Sequence, residues 1–148
     1  MNAMIPFIIM STAARDLWQP MLEGFVRLRS KWPRRGWSWD NRLNCVTSSI
    51  NADLEAEARL VALEGLPSEW THASIASAPP RVRDLADRSG GLRAGQLLYS
   101  AGPVAGVLAY GLWWPWGDGV TISLRIGLDI GVLDEPYARF REIFGVEL

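Results

Sequence analysis

The spacing of apolar residues changes period several times along this chain, and each change predicts an element. Residues 4–10 (MIPFIIM) form a short continuous apolar run rich in Ile, the pattern of a buried strand. A helix is expected next, because Leu17, Met21, Phe25 and Leu28 fall on one stripe with Leu22 and Val26 beside them. Pro20 belongs in a first turn, which makes Asp16 the expected N-cap. Arg27, Arg29 and Lys31 gather in the last turn, where the helix dipole favours cations. Residues 37–50 (WSWDNRLNCVTSSI) predict one strand, with Trp37, Trp39, Leu43 and Cys45 roughly in period two.

Asn51 can cap a second helix that carries Asp53 and Glu55 in its first turn and stops at Gly65 and Pro67. Residues 68–80 are small and polar and read as an exposed connection, followed by a short helix over 81–88 with Pro80 at its first position. The last third has the clearest pattern. Residues 96–100 predict a short strand; 104–114 and 120–129 predict two more, joined by a tight loop at 115–119. In the final strand Val120, Ile122, Leu124, Ile126 and Leu128 share one face, and Thr121, Ser123, Arg125, Gly127 and Asp129 the other. Tyr137, Phe140, Ile143 and Phe144 then stripe a closing helix that begins near Asp134. The order β-α-β-α-α-β-β-β-α predicts one α+β domain over residues 1–148. Its sheet is expected to be antiparallel or mixed, of about five strands, with helices mainly on one face.

Composition narrows the function. With 148 residues and 49% apolar content the chain can bury a core, and a formal net charge of −1 argues against binding nucleic acid mainly through phosphate contacts. Cys45 and His72 are each alone, so no disulfide scaffold, structural zinc or other metal site is expected, and no cofactor motif is present. No stretch is apolar for long enough to span a bilayer, and the first ten residues lack the basic region of a signal peptide, which predicts a cytoplasmic protein. A Ser-His-Asp or Cys-His mechanism would have to use His72, which lies in the least ordered stretch. The glycines near 90–95 and 102–106 match neither phosphate-binding signature.

Eight tryptophans are the anomaly. Trp113, Trp114 and Trp116 cluster at the expected hairpin, and Trp37 and Trp39 alternate along one strand. An exposed aromatic patch marks a partner, whereas each tryptophan buried in the core supplies a large apolar area instead. Asp118 at the hairpin tip reads both as a turn residue, since Asp-Gly is a strong hairpin signal, and as the carboxylate with the best claim to function. The segment from Arg27 to Trp37 interleaves cations and aromatics, as a single-stranded nucleic-acid site does, yet it also fits a solvated helix end.

The run 112–119 (LWWPWGDG), in an α+β order with few catalytic residues, resembles small Trp-containing immunity proteins of bacterial polymorphic-toxin systems. The resemblance implies a cytoplasmic inhibitor that binds a cognate toxin and performs no chemistry. The expectation is therefore a non-catalytic protein-binding module whose partner-binding residues are Trp37, Trp39, Trp113, Trp114, Trp116 and Asp118, with neither nucleic acid nor membrane as its partner. The alternative is a small-ligand-binding domain or modest hydrolase, with Asp118 and an arginine such as Arg125 lining a Trp-walled pocket.

Overall fold

A computed structural model describes residues 4–34, 36–129 and 134–146. The chain opens with helix α1 (Met4–Lys31), not with a strand. A short apolar run fits a strand and a buried helix equally well, and continuity with the stripe that follows decides for the helix. Pro20 consequently lies inside α1, where its missing N–H removes one backbone bond. Trp18, Met21, Leu22, Phe25 and Leu28 form the buried stripe.

Residues 37–50 fold as a hairpin instead of one strand. β1 (Ser38–Asp40) and β2 (Cys45–Asn51) pair antiparallel. Asp40 makes the turn, its carboxylate accepting from the N–H of Arg42 at 2.9 Å, and Asn44 takes the left-handed conformation its type tolerates. Asn51 accepts from the N–H of Asp53 at 2.9 Å and so caps a short turn that leads into α2 (Glu55–Gly65). α1 and α2 cross with backbones close together, since a Cβ on Gly24 would stand 3.2 Å from the Cα of Gly65.

The segment expected to be a bare connection holds strand β3 (Ser68–Thr71) before α3 (Pro80–Arg88). β4 (Leu97–Val104), β5 (Val107–Pro115), β6 (Thr121–Asp129) and α4 (Asp134–Phe144) complete the α+β fold. All pairs are antiparallel, in the order β1-β2-β6-β5-β4-β3. Six strands replace the expected five: the run 4–10 is helical, residues 37–50 supply two strands instead of one, and β3 is added.

The pleat sorts the side chains. Val46, Ile122, Leu124, Ile126, Leu128, Ala109 and Trp113 face α1, α2 and α4 in the main core. Leu98, Leu108, Tyr110 and Leu112 point the other way, against Val82, Leu85 and Ala86 of α3. Arg81 and Arg88 tie α3 to the end of β6 through Asp129, Arg88 at 3.2 Å from its carboxylate. The second core contains no residue of β1, β2 or β6, so half of that outer face lies beyond α3.

At the border of the two halves, Tyr110 lies across Gly127, its partner in the register. A Cβ on Gly127 would overlap the Tyr110 hydroxyl and come within 2.6 Å of a ring carbon. Gly127→Ala is therefore expected to cost about 1–3 kcal/mol, the range for overpacking a closed site. Chemical denaturation checks this, and an unshifted midpoint would mean that the tyrosine swings clear without loss.

Candidate functional site

The hairpin joining β5 to β6 is pinned at its tip. The N–H of Trp116 donates to the Thr121 carbonyl at 2.8 Å, which carries the ladder one pair beyond Pro115. One carboxylate oxygen of Asp118 accepts from the N–H groups of Val120 and Thr121, each at 2.9 Å, and the other accepts from the Thr121 hydroxyl at 2.7 Å. The Thr121 hydroxyl, followed by the Val120 amide, holds the Asp118 carboxyl below its ordinary range. Gly119 supplies the positive φ that the turn needs. On this fixed turn Trp116 and Val120 remain 52% and 54% exposed, so two large apolar groups face solvent on a loop that cannot fold them away.

The six residues singled out from sequence do not form one surface. Trp113 is 1% exposed, packed edge-on against Tyr99 at 6.1 Å in the main core. Its neighbour Trp114 points to the opposite face, half-buried, with the guanidinium of Arg125 over its ring at 5.1 Å. Arg125 in turn stands 3.7 Å from the carboxylate of Asp40 on β1. Trp114 stands two residues before Trp116, so this Trp–Arg–Asp row adjoins the hairpin tip.

Trp37 and Trp39 belong to a different region. Trp37 packs on Trp32 at 5.4 Å and on Phe144 of α4 at 4.8 Å, while Arg141 of α4 sits over Trp39 at 5.8 Å. Both serve the seam between β1 and α4. β1 also pairs with the far end of β2, at Cys45–Thr47, whereas the hairpin tip adjoins the Asn51 end.

Sequence reasoning missed Asp40 as a member of the row. Arg125 is visible as the one charged residue between Thr121 and Gly127 on the polar side of an alternating strand. Nothing in one dimension links it to Asp40, which is brought near only because 37–50 turns back on itself.

The interleaved basic segment is largely occupied. Arg27 and Lys31 pair with Glu64 of α2 at 3.6 and 2.7 Å, and Lys31 is the first cause of that carboxyl's lowered pKa. Arg29 donates to the Ile143 carbonyl at 2.8 Å, and Arg34 to that of Ser49 at 3.1 Å, where β2 runs past the end of β1. His72 is exposed in the turn after β3. Cys45 is buried, and burial pushes its thiol up to about 12, far from the range of a nucleophile at neutral pH. Among the described residues no three His, Cys, Asp or Glu side chains gather as metal ligands, and no helix is long and apolar enough to cross a membrane. No family model, curated protein or solved structure matches the chain.

Proposed function

We propose that this chain is a non-catalytic protein-binding module whose contact surface is the β5–β6 tip and the adjoining outer face that carries Trp114 and Arg125. The observation that carries this reading is Trp116, half-exposed on a turn that Asp118 holds fixed with three hydrogen bonds. A turn whose backbone is already fixed loses little conformational freedom on docking, and Trp and Arg are the side chains that most often dominate binding energy. The matching feature on the partner is an apolar pocket that accepts an indole. A bacterial toxin is the partner that the immunity-protein resemblance of residues 112–119 suggests, in a cytoplasmic complex.

The test is capture of a stoichiometric partner by the tagged chain in its native host, followed by that partner's affinity for the purified chain. Trp116→Ala is expected to weaken binding by about 2 kcal/mol or more, roughly thirtyfold, as at an interface hot spot. Asp118→Ala should weaken it less, by loosening the turn. Leu60→Ala, at a 71% exposed position on α2, should leave it unchanged. Full affinity in Trp116→Ala and Trp114→Ala together would remove this surface from consideration.

A small-ligand pocket holding Asp118 and Arg125 has less support. Arg125 stands roughly 13 Å along the strand from Thr121, the residue that Asp118 binds, and its guanidinium is directed to Trp114 and Asp40.

A further inference from the structure

We propose that a second site, remote from the hairpin tip, binds a small aromatic carboxylate in the cleft between the C-terminal ends of α1 and α4 and the residues Trp32, Arg34, Gly36 and Trp37. The cleft encloses about 480 Å³, within the range of small-molecule sites. Val26, Trp32, Trp37 and Ile143 give it an apolar, largely aromatic lining, and Arg29 and Arg34 bring two guanidinium groups to it.

Two observations make these arginines ligand groups. Among the described residues neither has a carboxylate within ion-pair distance, unlike Arg27, Lys31, Arg59, Arg81 and Arg88. Among the described residues each makes one side-chain hydrogen bond, to a backbone carbonyl, out of five donors, which leaves donors to meet a carboxylate in the bidentate manner arginine favours. Two helix C-termini lie nearby and contribute about half a negative charge each, which two full guanidinium charges exceed.

The lining selects the rest of the ligand. The indole N–H of Trp32 is spent on the Ser48 hydroxyl at 3.0 Å, and that of Trp37 is buried, so both indoles present ring surface to the cleft. Val26 is 52% exposed although it lines the cleft, so an apolar ring laid there would cover it. A carboxylate with an aromatic body satisfies both the arginines and this apolar wall. A bare phosphate would satisfy only the arginines.

The probe is indole-3-acetate, titrated calorimetrically into the full chain, with indole-3-ethanol and inorganic phosphate as comparisons. Indole-3-acetate is expected to bind one site, with the neutral alcohol and phosphate each weaker by about tenfold or more. Arg34→Gln should weaken it by about tenfold, and Val26→Glu, which sets a carboxylate in an exposed part of the cleft, should abolish it. Trp116→Ala should leave it untouched, so this result is independent of the protein-binding reading. Absence of binding would overturn the proposal. So would binding that ignores both cleft variants, or phosphate that binds as tightly as indole-3-acetate.

Discussion

Replacing Trp113 with alanine is expected to cost about 3–5 kcal/mol of folding stability, the range for a large aromatic removed from a closed core. Trp113 is 1% exposed and heads the fully buried side chains by volume. It sits mid-sheet, opposite Leu97 of β4 and Leu124 of β6, with Tyr99 against its ring. Strands held by hydrogen bonds on both sides cannot close over the space, so the cavity persists and its lining loses contacts. A domain of this kind has only about 5–15 kcal/mol in total, so the variant should unfold at a much lower urea concentration. Trp116→Ala, at an exposed tip, should change the stability by less than about 0.5 kcal/mol. The contrast matters for mapping the surface. Trp113→Ala would lose a partner by losing the fold, whereas Trp116→Ala tests contact alone. A loss below about 1 kcal/mol for Trp113 would mean that the core refills the space.

The same pair of residues shows how far the sequence could be read. Strict alternation over 120–129 fixed β6, and it required Trp113 and Trp114 to face opposite ways. Which of the two met the core depended on where α1, α2 and α4 pack, and spacing does not state that. The antiparallel hairpin and the α4 stripe were legible because each rests on local chemistry, a Gly-flanked turn and a period of 3.6. Asn51 does cap, but it caps the short turn before α2, whose own N-cap residue, Leu54, supplies no side-chain cap. The 4–10 run was not, since seven apolar residues satisfy two periods at once. Trp37, Trp39, Leu43 and Cys45 suggested a single strand, and the Asp40 turn with left-handed Asn44 breaks it. For the site, the hairpin tip was readable, whereas the exposure of Trp116 emerged only from the fold. The withdrawal of Trp37 and Trp39 beneath α4 was not readable either, because their partners Phe144 and Arg141 lie about a hundred residues away in the chain.

Raising the pH above 9 is expected to remove the fold by way of four acids: Cys45, Tyr99 and Tyr110, which are buried, and Tyr137, which is half-buried. Burial, followed by the charge of Asp40, raises the Cys45 thiol from its ordinary 9.0 to about 12, with Arg125 opposing. Burial is also the first cause of the raised values of Tyr99, Tyr110 and Tyr137. Cys45 pairs in the register with Gly127, over which Tyr110 lies, and Tyr137 donates to the Leu128 carbonyl at 2.7 Å. The three groups thus meet at one corner, where ionising the thiol opposes ionising the phenols. The folded state keeps these protons at a pH where the unfolded chain has released them. The unfolded state therefore binds fewer protons, and stability falls as pH rises. For Cys45 the fall begins near 9 and continues to about 12, at a slope of about 1.4 kcal/mol per pH unit; the tyrosines add to it from about 10 upward. Below 9 this contribution is constant. Urea midpoints measured from neutral pH to about 11 should hold level and then drop, with Cys45 becoming alkylated only as the fold is lost. Cys45→Ala should delay the onset by about one pH unit, to where the tyrosines start. A midpoint that stays level through pH 11 would show that these side chains ionise in place, with water reaching the corner between β2, β6 and α4.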